Sequence, residues 1–172
     1  MTECNYLTLQ GIFDIVVTRG LKQGIKSYSN ELGGCQYRLN TLKCFVGQLI
    51  LDDYYDARIE GLSPELLPFS GFEIHSRLED ILFLSSILQK SRINMYDSCI
   101  VNLLKTLQNV HDCNSPDNWI SELKRVAEGF NLDDSVIDRT LSQMKEKKCS
   151  QNKTTEEDFS EKLLDLEPAF LF

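Results

Sequence analysis

Apolar positions recur at helical spacing through most of the chain. Leu9, Ile12, Phe13, Val16, Val17 and Leu21 predict an amphipathic helix over residues 7–21, with Gly20 and Gly24 ending it or weakening its last turn. Residues 25–34, closing on Gly33-Gly34, read as a connecting loop. Cys35, Tyr37 and Leu39 alternate with polar neighbours and Asn40-Thr41 suits a tight turn, so residues 35–46 predict a β-hairpin. The run from Val46 to Leu51 is apolar, and its period separates neither helix from strand.

Helix starts dominate the second half. Ser63-Pro64-Glu65 opens a short helix, with Ser at the cap and Pro at the first helical position. Ser70 and Glu73 form a capping box with Phe69 and Ile74 at staple positions, opening a helix to about residue 90 whose inner face is Ile74, Leu78, Ile81, Leu82 and Leu88. Three more helices are predicted: 95–111 (Ile100, Leu103, Leu104, Leu107 inward), one from Ser115-Pro116 (Trp119, Leu123, Val126, Ala127, Phe130 inward), and 133–146 (Val136, Ile137, Leu141, Met144 inward). Residues 148–158 offer almost nothing to bury and read as a flexible linker. Phe159, Leu163, Leu164 and Leu166 then suggest a short helix ending in an apolar hook at Phe172. The expected fold is mainly α: a helical domain over residues 1–147 with one small β-hairpin, a linker, and a C-terminal hook over 159–172. That hook is expected to dock on its own domain, with a homodimer contact as the alternative.

Composition narrows function more by exclusion than by naming. With 42% hydrophobic and 26% charged residues, the 172-residue chain is an ordinary globular one. No apolar run approaches the roughly 18 residues a membrane span needs. The net charge is −8, a field that repels phosphate backbones, so direct nucleic-acid binding is disfavoured and basic partners are favoured. Acid concentrates in residues 52–90, which carry 8 acidic and 3 basic side chains. The first residues show no basic region followed by an apolar one, so a cytoplasmic protein with reduced thiols is expected.

Several side chains invite a chemical reading. Asp52-Asp53-Tyr54-Tyr55-Asp56 has the form D-D-x-x-D, which on one helix face would hold Mg²⁺ against a diphosphate. The chain is short for such all-helical enzymes and no second acidic motif faces this one, so an acidic surface is the preferred reading. Asp52, Asp53, Tyr54, Tyr55, Asp56 and Glu60 together form an acidic patch with aromatic anchors, the composition that recognises a basic protein surface. The six cysteines contain no C-x-x-C pair. A zinc site assembled in space from Cys35, Cys44, His111 and Cys113, or a thiolate–imidazole pair of Cys44 with His111 or His75, is the chemical alternative. Against that stand buried small cysteines and a histidine interacting with a helix C-terminus, with Asp112 as a cap. No cofactor is expected, with zinc as the exception. No phosphate-binding glycine loop or nucleophile elbow is present.

Residues 34–61 contain Cys35-x-Tyr37-Arg38, Lys43-Cys44-x-Val46-Gly47-x-Leu49-Ile50-x-Asp52-x-x-Tyr55-Asp56 and Glu60-Gly61. This pattern resembles a group of small bacterial and phage-encoded proteins with no established activity. The resemblance extends weakly to Phe13, Val16, Gly24, Leu107, His111, Asp112 and Trp119, and stops before residue 148. That group often has Pro where Leu51 stands and Met where Ile59 stands. The resemblance implies a setting, the mobile elements and accessory genes of bacteria, and no catalytic residue. A hairpin bearing Cys35 and Cys44 would bring the two thiols together across its strands. The leading expectation is a non-enzymatic inhibitor, of toxin-immunity or phage anti-defence type, that blocks a basic partner such as a toxin or a host defence nuclease. The alternatives are a small Cys/His metal-binding or thiol-dependent enzyme centred on Cys35, Cys44 and His111, and a homo-oligomeric accessory protein.

Overall fold

A computed structural model describes residues 5–62 and 78–147. The fold is mainly α. In chain order come α1 (Leu9–Gln23), β1 (Tyr28–Ser29), β2 (Gly34–Cys35), β3 (Arg38–Leu39), β4 (Leu42–Lys43), α2 (Leu78–Lys90), α3 (Ser98–Cys113), α4 (Trp119–Phe130) and α5 (135–147). Short 3₁₀ turns occupy Gly47–Leu49, Asp52–Tyr54, Ala57–Ile59 and Pro116–Asn118.

Each helix forms where its caps and apolar stripe agree. In α1, the Thr8 side chain accepts from the Gly11 N–H, and Gly24 stops the helix in the left-handed conformation at φ 63°. Ile12, Phe13, Val16, Val17 and Leu21 are its buried face, as the spacing predicts. Asp97 caps α3 by accepting from the Cys99 and Ile100 N–H groups. Asn131, left-handed at φ 53°, ends α4, and Asp133 accepts from Ser135 N–H and Oγ at the start of α5. One expected face is corrected in α2. Leu82 is 57% exposed, while Leu84 and Ile87 join Ile81 and Leu88 inside. A single helical face takes residues three and four apart, and Leu82 lies one residue out of that phase. The core gathers Phe13 of α1, Phe45, Leu103 and Leu104 of α3, and Trp119 and Leu123 of α4.

The β structure differs from the single expected hairpin. The predicted turn at Asn40-Thr41 is present, with Arg38 opposite Lys43, Leu39 opposite Leu42, and Asn40 at φ 54°. Residues 25–34 are more than a loop: they supply β1 and one residue of β2 in a second antiparallel ribbon, with Tyr28 opposite Cys35 and Ser29 opposite Gly34. Cys35 is therefore paired with Tyr28 and not with the strand leading to Cys44. The β1–β2 ribbon extends to Gln36, whose N–H donates to Ser27 O at 2.8 Å, and beyond it the Glu60 carboxylate takes the N–H groups of Tyr37 (2.7 Å) and Arg38 (2.9 Å). On the other edge of β4, Gln23 acts as a surrogate strand. Its amide donates to Lys43 O (2.8 Å) and accepts from Lys43 N–H (2.9 Å). The apolar run after β4 resolves as a 3₁₀ turn at Gly47–Leu49, packed on α1 and held by Arg19 Nη1 donating to Gln48 O at 2.7 Å.

The starts at Ser63-Pro64 and at the Ser70/Glu73 box, the Phe69/Ile74 staple, the 148–158 linker, the 159–172 hook and its dimer contact lie outside the described residues. Among the described residues no helix is long and apolar enough to cross a membrane.

Candidate functional site

The acidic segment does not form one helix. Asp52–Tyr54 and Ala57–Ile59 are separate 3₁₀ turns, with Tyr55 and Asp56 extended between them. Asp52, Asp53 and Asp56 therefore share no helical face on which a D-D-x-x-D motif would grip a cation. Asp52 receives Lys43 Nζ at 2.6 Å and the Arg38 guanidinium. Those cations, Lys43 first, hold its carboxyl below the usual range. Asp56 binds Arg58 Nη2 at 2.8 Å, and this pairing pulls its carboxyl down to about 2. Arg58 in turn lies 4.1 Å over the Phe83 ring, tying the segment to α2.

Tyr55 and Glu60 face inward. Tyr55 Oη donates to Glu60 Oε1 at 2.7 Å, beneath the Arg38 guanidinium 4.2 Å from the tyrosine ring. Burial and then Glu60 push the Tyr55 phenol up to about 12. Glu60 thus accepts three hydrogen bonds from three different residues, two of them backbone. Glu60→Ala is expected to cost about 3 kcal/mol in urea denaturation, because it strands two backbone donors and one hydroxyl. Glu60→Gln should cost less, since one acceptor survives.

Of the six patch residues, four are thus engaged within the molecule. Asp53 and Tyr54 make no side-chain ion pair or hydrogen bond among the described residues. Tyr54 is 41% exposed, beside a 45%-exposed Leu51.

Cys35 and Cys44 meet a different environment. Both line a cavity of about 160 Å³ with Tyr37, Gly61, Leu62, Gln108 and Asp112. The last turns of α3 build its far wall, because positions 108 and 112 lie one turn apart on the same face. Gln108 Nε2 donates to both Asp112 carboxylate oxygens at 2.9 Å, and its Oε1 accepts from the Val46 N–H at 3.3 Å. His111 Nδ1 lies 2.8 Å from Asp112 Oδ1. The imidazole is fully buried, stacked on Trp119 at 5.3 Å and tilted against Phe45 at 5.2 Å. Its Nε2 has no hydrogen-bond partner among the described residues.

The protonation pattern follows from this packing. Burial first, and the Asp112 charge second, push the Cys35 thiol up to about 12. Burial pushes Cys44 higher still, although the Gly47 N–H donates to its sulfur at 3.2 Å. Burial also opposes the Asp112 carboxylate, but hydrogen bonds from His111, Gln108 and Cys35 outweigh it and hold the group below its ordinary value.

Among the four expected metal ligands, Cys35 and His111 come together, and the third donor is Asp112: ligand atoms of these three lie within 4.8 Å of one another. Cys44 lines the same cavity outside that group. Cys113 is exposed and donates to Asn109 Oδ1 at 3.1 Å. A thiolate–imidazole pair is not formed by Cys44 and His111, since Nδ1 is engaged with Asp112 and Nε2 bonds nothing. His75 lies outside the described residues. Gln108 is the missed member, and Asp112 enters from residue order as a helix cap. The i, i+4 spacing of an amide and a carboxylate on a predicted helix is the signal that marks them.

No family model, no curated protein and no solved structure matches the chain.

Proposed function

We propose that the protein is a non-enzymatic inhibitor that binds a basic, nucleic-acid-handling protein through the exposed end of the Leu51–Tyr54 turn. The observation that carries this reading is the outward placement of Asp53 and Tyr54 on a braced segment. Asp52 and Asp56 are fixed by Arg38, Lys43 and Arg58, and Glu60 anchors the segment from inside. A short, preorganised loop that presents an aromatic ring, an aliphatic side chain and an unpaired carboxylate loses little entropy on binding. Tyr supplies contact area with a polar tip, and Asp53 selects a cationic neighbour. The net charge of −8 favours encounter with a basic surface. The immunity or anti-defence form of the reading, and the bacterial cytoplasm as its place, rest on the resemblance described above.

The thiol-enzyme alternative has less support. Burial pushes both cavity thiols up, which disfavours the thiolate a nucleophile needs.

The test is capture of partners by the tagged full chain from a lysate of its own host under reducing conditions. A single stoichiometric basic protein is expected on the wild type and on the control Asp117→Lys. The double variant Asp53→Lys/Tyr54→Ala should weaken that complex by about 100-fold or more, the scale of a lost central anchor with a reversed charge. An unchanged dissociation constant in the double variant would sink the proposal.

A further inference from the structure

We propose that Cys35, His111 and Asp112 form a binding site for a zinc-class cation that staples the first β-ribbon to the C-terminal turn of α3. The proposal stands apart from the protein-binding reading, since these residues sit in the cavity and not on the exposed turn.

The donor set is the first argument. A thiol, an imidazole and a carboxylate within 4.8 Å of one another match the borderline-soft ligands zinc selects, and are the wrong set for Mg²⁺ or Ca²⁺, which take oxygen. Placement is the second. Cys35 belongs to β2, and His111 and Asp112 to the last turn of α3. The Cys35 thiol already hydrogen-bonds the Asp112 carboxylate, and Lys26 Nζ donates to Asp112 O at 2.8 Å. An ion here would join two segments 76 positions apart in sequence, between Cys35 and His111.

The surroundings already orient the ligands. Gln108 grips both carboxylate oxygens of Asp112, as outer partners of metal ligands do. Phe45 and Trp119 fix the imidazole plane. The nitrogen facing Asp112 is the one placed to ligate. The imidazole proton then resides on Nε2, which has no acceptor among the described residues, a cost the metal bond must offset. The Cys35 proton leaves to solvent, and the cation's charge stabilises the thiolate that burial alone disfavours. A fourth ligand has room on the cavity side, where Cys44 stands.

Cobalt is the probe. Reduced, chelator-treated full-length protein is titrated with Co²⁺, and Zn²⁺ is then added in competition. One equivalent of Co²⁺ should give a thiolate-to-cobalt charge-transfer band and visible d–d bands of a tetrahedral site, both abolished by one equivalent of Zn²⁺. Cys35→Ser should remove the charge-transfer band and weaken binding by more than about 100-fold, since losing even an outer partner of a ligand costs about 10–100-fold. Asp112→Asn should weaken binding while keeping the band, and Cys113→Ser should change neither. Far-UV circular dichroism confirms that each variant folds. A wild type that takes up no stoichiometric metal overturns the proposal. So does a Cys35→Ser variant that keeps the band, or a band that disappears with Cys113 instead.

Discussion

Gly47→Ala is expected to destabilise the protein by more than about 4 kcal/mol, or to prevent folding outright. A Cβ at this position would sit 2.0 Å from Tyr37 O and 2.9 Å from Tyr37 C. Both are backbone atoms, so no side chain can rotate out of the way. The peptide carrying the Tyr37 carbonyl is itself pinned by the Arg38 N–H donating to Glu60 at 2.9 Å, and Tyr37 is held further by its own N–H on Glu60 and its phenol on Leu62 O, both at 2.7 Å. Relief would require the 3₁₀ turn at Gly47–Leu49 to lift away from the link between the ribbons. That movement would also carry Val46, Leu49 and Ile50 out of the core. Gly129 in α4 is the internal control. A Cβ there meets nothing within 4 Å, and Gly129→Ala should stabilise by about 0.5–1 kcal/mol through helix propensity. Urea denaturation of the two variants beside the wild type decides the matter. A Gly47→Ala protein of wild-type stability would mean that the close approach of the two backbones is wrong.

That clash also explains what could and could not be read from residue order. The helices are legible because each buries a stripe with a 3.6-residue period, with Gly24 and Asp133 readable as boundaries, whereas the caps at Thr8 and Asp97 emerge only in the structure. The tight turn at Asn40-Thr41 was legible for the same local reason. The β1–β2 ribbon was not, since two-residue strands are too short to show alternation. Residue order places Glu60 in a surface patch, yet it organises the backbone of Tyr37 and Arg38, 23 and 22 positions away. Contacts of that span leave no periodic trace. Asp52 and Asp56 were recognised as acidic, but their neutralisation by Arg38, Lys43 and Arg58 depends on how the chain folds back.

The candidate cation site divides in the same way. Cys35 and His111 were identifiable from ligand chemistry alone. Cys44 and Cys113 were equally good candidates on that ground, and only the fold separates them: Cys113 falls on the outer side of α3, and Cys44 lies across the cavity. Residue order suggests a helix cap at Asp112, because its neighbour is a histidine near a helix end. Its side chain instead receives His111, Gln108 and Cys35. Cys35, Tyr37 and Cys44 line this cavity, and the backbone of Tyr37 and Arg38 joins the Glu60 network, so these neighbours in sequence form one spatial unit.

Trp119→Ala is expected to cost about 3–5 kcal/mol, the range for removing a large buried aromatic side chain. Trp119 is 1% exposed, with its ring centroid 4.7 Å from Phe45 and 5.3 Å from His111. Truncation would open a void between α3 and α4 that neither neighbouring ring fills without leaving its own contacts. The void would also release the imidazole from one of the two rings that fix it, so Co²⁺ binding at Cys35, His111 and Asp112 should weaken in any molecules that still fold. Trp119→Phe separates these effects. The indole Nε1 has no hydrogen-bond partner among the described residues, so the smaller ring loses volume but no bond. A cost of about 1–2 kcal/mol is expected, with metal binding retained. Because this is the one tryptophan of the chain, circular dichroism and not intrinsic tryptophan fluorescence must follow the unfolding. Tyr54→Ala gives the opposite profile. That exposed ring supports no core contact, so stability should stay within about 0.5 kcal/mol of wild type while partner binding falls. If Trp119→Ala instead left stability unchanged, the aromatic cluster behind the cavity would not be the core it is taken to be, and the placement of His111 would fall with it.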